Sequence, residues 1–102
     1  MEKLVRDLIP DIIKGSGKKP KFKKATSDHE FKKLLKLKIV EEAQELLWAD
    51  EKTELEEIAD ISEIIYSLLG VMNKTVHDLD EAIKSKLFEK GGFKQRFILE
   101  TR

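Results

Sequence analysis

The chain has 102 residues, 39% of them charged, with 20 basic and 20 acidic side chains in formal balance. Leu, Ile, Val and Phe together number 32, enough for one core, so disorder is excluded and residues 1–102 read as a single domain. There is no cysteine, which rules out a disulfide scaffold, a thiol nucleophile and cysteine-ligated zinc. No apolar run approaches ~20 residues and Met1-Glu2-Lys3-Leu4 is no signal peptide, so a soluble, cytoplasmic protein is expected.

The first predicted element is a short helix from Asp7 to about Lys14, with Pro10 tolerated in its first turn and Gly15-Ser16-Gly17 ending it. Lys18 to Thr26 reads as a basic, extended stretch. Ser27-Asp28-His29-Glu30 fits a capping box and opens a long helix to about Asp50. Thr53-Glu54-Leu55-Glu56 repeats that signature and opens a third helix ending near Asn73. Thr75 caps a fourth, which Gly91-Gly92 terminates. The tail Phe93 to Leu99 has the apolar and aromatic content of a short strand, with Lys21–Thr26 as its pairing partner.

Charge is distributed unevenly along these elements. Residues 1–38 carry 12 basic against 5 acidic side chains, residues 39–63 carry 1 against 10, and residues 64–102 carry 7 against 5. On a helical wheel Glu42 and Glu45 fall inside the apolar stripe of Phe31, Leu34, Leu35, Ile39 and Leu46, with Glu41 at its edge. Glu57 and Asp60 fall among Ile61, Ile64, Leu68 and Val71, whereas Glu56, Glu63 and Ser67 mark a solvent face. Buried anions are costly unless paired or bound to metal, and within residues 39–63 Lys52 is the one base. Each i, i+3 pair of carboxylates shares a helix face, and a short turn near Asp50–Lys52 would make the two pairs face one another. Four such oxygens suit a hard divalent cation, Mg²⁺ or Mn²⁺, with phosphate oxygens completing its coordination.

Glu41-Glu42-Ala43-Gln44-Glu45 followed by Glu57-Ile58-Ala59-Asp60 resembles the signature of the all-α, MazG-like nucleoside triphosphate pyrophosphohydrolases, a superfamily that includes phosphoribosyl-ATP pyrophosphohydrolases. Lys3-Leu4-Val5-Arg6-Asp7-Leu8-Ile9-Pro10 and Lys90-Gly91-Gly92-Phe93 resemble a small MazG-like branch, so the likeness runs end to end. It implies a four-helix bundle with Glu42, Glu45, Glu57 and Asp60 as Mg²⁺ ligands and Glu41 assisting. It also implies hydrolysis of the α–β phosphoanhydride of a nucleoside triphosphate, giving monophosphate and pyrophosphate; phosphoribosyl-ATP is the alternative substrate. The 11 residues between Glu45 and Glu57 make the turn tight and the base pocket small.

In such a reaction Glu41 or Glu45, not fully used in ligation, would take the proton from water. Countercharge for the phosphates is expected from Lys86, Lys90 and Arg96 near or after the end of the fourth helix, the resemblance favouring Lys86 and Lys90 over Lys84. Arg6 has either Asp7 or phosphate as partner. Trp48 and Tyr66 read as packing residues, His29 and His77 as surface, and Asn73 as either a cap or a ligand contact. Six lysines within residues 14–24 raise a rival reading as a nucleic-acid-binding arm, against which stand zero net charge and only three arginines. A non-catalytic helical interaction module is the other rival, with no evident use for buried carboxylates. The third helix is apolar around most of its circumference, which predicts a homodimer or a dimer of dimers.

Overall fold

Ser27 starts the longest element. In the computed structural model, which describes residues 2–100, its hydroxyl accepts a hydrogen bond from the Glu30 backbone N–H at 3.1 Å, while the Glu30 carboxylate accepts from the backbone N–H of Thr26. The helix that follows, α2 (Asp28–Trp48), comes after a short α1 (Ile9–Gly15) and precedes α3 (Glu54–Val71) and α4 (Val76–Lys90). The fold is all-α.

The α2–α3 connection is organised by a residue other than the one anticipated. Thr53 makes no side-chain cap. Instead Asp50 Oδ1 accepts from the backbone N–H groups of Lys52 and Thr53, each at 3.1 Å, closing the turn as an Asx-type bridge. So short a connection makes α2 and α3 antiparallel neighbours, and these two helices form the packed unit of the chain. At its far end α3 stops in a Schellman arrangement. Asn73 takes φ 57°, its N–H bonds the Gly70 carbonyl, and the Lys74 N–H reaches Leu69. Asn73 is therefore a helix terminator. Thr75 and Asp78 then form a reciprocal capping box that opens α4.

Gly91 ends α4 at φ 77°, a left-handed conformation suited to glycine. Beyond it the expected strand does not form: the described residues contain no β-structure, and neither Phe93–Leu99 nor Lys21–Thr26 joins a ladder. Arg96, at φ 59°, and the hydrogen bond from its N–H to the Phe93 carbonyl turn the chain where a strand would run straight.

The chain buries little. Leu35, 4% exposed, is the one buried apolar residue among those described. Trp48 at 84% exposure and Tyr66 at 55% stand out in solvent, contrary to the packing roles expected of them. The accessible surface is 9721 Å², where a compact monomer of this mass exposes about 5,900 Å². The radius of gyration is 17.4 Å against about 13 Å for a compact chain of this length. α4 and the tail contribute to the excess, leaving Ile83, Leu87, Phe88, Phe93 and Phe97 uncovered, as do Leu8 and Ile12 at α1 and Leu47 and Leu55 on α2 and α3.

Candidate metal and phosphate site

The site is built where α2 and α3 face each other. Glu42 is the one buried charged residue among those described, 7% exposed. Carboxylate oxygens of Glu42, Glu57 and Asp60 lie within 4.8 Å of one another, as do those of Glu41, Glu42 and Glu45. Glu42 is common to both groups, so the two clusters form one continuous acidic centre. Glu57 and Asp60 are half-buried, in keeping with their wheel positions; Glu45 is exposed rather than inside the apolar stripe. Its oxygen groups with those of Glu41 and Glu42 and not with the Glu57–Asp60 cluster.

Two of these oxygens have no partner. Glu42 Oε2 and Glu57 Oε2 are buried and accept no hydrogen bond, an arrangement that costs free energy unless a cation or proton fills it. Burial, then the neighbouring Glu57 and Glu45 carboxylates and the charge of Asp60, push the Glu42 carboxyl up to about 7. An oxygen-only donor set with two orphaned buried atoms fits a divalent ion such as Mg²⁺, which takes carboxylates at near-octahedral geometry.

The compensating bases come from outside the acidic block. Lys38 lies one residue beyond it, 18% exposed at its side chain, with Nζ 3.2 Å from Glu41 and 3.8 Å from Glu42. Lys3 donates to Glu41 at 3.4 Å. Burial opposes ionisation of Glu41, but Lys38 and then Lys3 outweigh it and hold its carboxyl below the usual range. Arg6 does not pair with Asp7. Its guanidinium forks onto both oxygens of Glu63 at 2.9 Å and also donates to Asp60. Glu63 is exposed, as its face predicts, yet its hydrogen bonds to Arg6 lower its carboxyl below the ordinary value. The role of Lys38 was within reach of the sequence, because it precedes Glu41 and Glu42 by three and four residues on the same helix face. Lys3 carried no such local signal.

Residues Lys3–Asp7 pass over the helix pair and roof a cavity of about 410 Å³ lined by Lys38, Glu42, Asp60, Glu63, Ile64 and Ser67 among others. Lys86, Lys90 and Arg96 do not line it; they lie on α4 and the tail, all exposed. His29 and His77 are exposed, as expected.

The chain is all-α, and its central helix hairpin presents clustered carboxylates, able to hold a divalent ion, beside the basic side chains of Lys3, Arg6 and Lys38. The family model for phosphoribosyl-ATP pyrophosphohydrolase matches residues 5–86, and the chain belongs to that family. It is accordingly an enzyme, a pyrophosphohydrolase acting on an acid anhydride of a nucleotide-like substrate, in a divalent-metal-dependent family. Neither a comparison with curated proteins nor one with solved structures returned a match. Among the described residues no helix is long and apolar enough to cross a membrane.

Proposed function

We propose that this single-domain protein is a Mg²⁺-dependent nucleoside triphosphate pyrophosphohydrolase that cleaves the α–β phosphoanhydride to release monophosphate and pyrophosphate. The observation that carries this reading is the pair of unpartnered, buried oxygens of Glu42 and Glu57 on facing helices. Glu42, Glu57 and Asp60 would hold the ion, with Glu45 joining from the exposed side of Glu42. When bound, the ion makes water more acidic and offsets charge on the phosphate oxygens.

The remaining work falls to the chain. Water adds its oxygen to the α-phosphorus, the bridging P–O bond breaks, and pyrophosphate leaves. Glu45, exposed and free of a hydrogen-bond partner among the described residues, is the better placed of the two acids to take the proton; Glu41 is occupied by Lys38 and Lys3. Arg6, already held beside Asp60, would contact the phosphates. Lys86, Lys90 and Arg96 would reach them from a neighbouring protomer, since α4 is not packed onto the α2–α3 pair. The uncovered apolar surface of α4 and the tail supports assembly as a homodimer or dimer of dimers. A cytoplasmic location, where such nucleotides are made and used, completes the reading.

Phosphoribosyl-ATP is the second substrate reading, favoured by the description of the matching family. It involves the same linkage. A nucleotide panel that includes phosphoribosyl-ATP, assayed with Mg²⁺ and with pyrophosphate and orthophosphate detected separately, decides between them. Pyrophosphate from one or more members supports the reading and names the substrate; orthophosphate alone, or no product from any member, would refute it.

A further inference from the structure

The sequence points to the fourth helix for phosphate-binding cations, yet the charge gathered at the carboxylate centre comes from elsewhere. Lys3, Arg6 and Lys38 all line the cavity beneath the N-terminal segment, alongside Glu42 and Asp60. Each touches a carboxylate of the centre: Lys3 and Lys38 meet Glu41, and Arg6 meets Asp60 and Glu63. We propose that this cavity is the pyrophosphate-binding pocket, in which Lys3 and Lys38, together with Arg6, bind the phosphate end of the nucleotide. The proposal rests on the pyrophosphohydrolase reading.

Two observations support it, and a third sets the order of binding. The cavity, about 410 Å³, falls within the range of small-molecule sites, about 300–1,000 Å³. It adjoins the acidic centre directly, sharing Glu42 and Asp60 with it, so a phosphate chain held there has one end at the ion. The third is electrostatic. Glu41, Glu42, Glu45, Glu57, Asp60 and Glu63 are six carboxylates against the three cations, a formal excess of negative charge that repels a polyphosphate. A divalent ion taken up by Glu42 and Asp60 competes for the charge that Lys38 and Arg6 now face, which turns those cations toward an incoming anion. Ion and phosphate should therefore bind in that order.

Lys38 also has a plain structural role, since its ammonium lies beside the buried Glu42. The two roles part in sign. A phosphate-binding lysine, when removed, weakens pyrophosphate binding and leaves metal binding equal or tighter, because a competing cation has gone. A merely structural one weakens both. The test is calorimetric titration of the full-length protein, first with Mn²⁺ or Mg²⁺ alone and then with inorganic pyrophosphate at saturating Mg²⁺. Lys38→Met and, separately, Lys3→Met should each weaken pyrophosphate binding, Lys38→Met by at least about tenfold, with metal affinity undiminished; Lys38→Arg should recover much of the loss. Lys3 lies outside regular structure, so its variant reports even if Lys38→Met folds poorly. Wild-type affinity for pyrophosphate in both variants, parallel loss of metal and pyrophosphate, or a wild type that binds no pyrophosphate would each overturn the pocket. A wild type that binds pyrophosphate in this lysine-dependent way yet releases none from nucleotides would uphold the pocket and refute the hydrolase reading.

Discussion

α2 and α3 face one another, bury Leu35 and Glu42, and bring carboxylates from both helices within 4.8 Å. α4 and the tail, with an apolar content of their own, leave Phe88 at 95% and Phe97 at 93% exposure. The first region closes on itself because a five-residue turn pinned by Asp50 returns the chain directly. The second has no such return: Asn73 and Thr75 redirect α4 away, and Gly91 releases the tail. The contrast separates what the helix pair completes by itself, an acidic centre, from an apolar surface that nothing in the chain covers.

The largest effect is expected from breaking the first region. Glu57→Gln should lower turnover by at least about a hundredfold, since even residues that only support metal ligands commonly cost 10–100-fold. Its fold should persist, and in EDTA its melting temperature should equal or exceed the wild-type value because one of the crowded anions is gone. Normal Mg²⁺-dependent turnover in this variant would detach Glu57 from the site. Breaking the second region comes next. Light scattering should find the wild type as a dimer or larger at micromolar concentration, and Phe88→Asp with Phe97→Asp should shift it toward monomer. A monomeric wild type would contradict the role assigned to α4 and the tail.

A smaller effect is expected from pH. The Glu42 carboxyl is raised to about 7 in the fold, above the ordinary value of a glutamate in the unfolded chain, so the folded state binds the extra proton between about pH 4.5 and 7. Its contribution to stability is then present at the acidic end of that window and is lost as pH rises through 7, with a slope of at most about 1.4 kcal/mol per pH unit. In EDTA the melting temperature should fall across the window in the wild type and fall less in Glu42→Gln; saturating Mg²⁺ should flatten the wild-type profile. An equal slope in both proteins would place the titration elsewhere. The smallest effect belongs to Arg6→Met, which removes an exposed ion pair with Glu63 and should move the melting temperature by only a few degrees. A collapse of stability there would mean that the N-terminal segment holds the fold together.

Helix order, the all-α class and the burial of Glu42 were legible in the sequence because each depends on spacing within one helix: capping signals at Ser27 and Thr75, and a carboxylate three and seven residues from apolar Ile39 and Leu35. What the sequence did not show has a different origin. Arg6 reaching Asp60 and Glu63, and Lys3 reaching Glu41, join residues 38 to 57 positions apart, and no local periodicity encodes such pairs. Tyr66 reads as core from its place on Leu55's side of the wheel, and Trp48 as packing from its place near a helix end, but a side chain is buried only where a partner element covers it. The tail resembled a strand by composition, which says nothing about whether an edge exists to receive it. Thr53 had the form of a cap, and Asp50, three residues earlier, took the turn instead.

On the proposed reading one ion is held jointly by α2 and α3. Titrating Mn²⁺ into wild-type protein, Glu42→Gln and Asp60→Asn by calorimetry addresses it most directly. One divalent site, weakened at least about tenfold by either substitution although the two residues sit on different helices, is the predicted result. Wild-type Mn²⁺ affinity in both variants would contradict it.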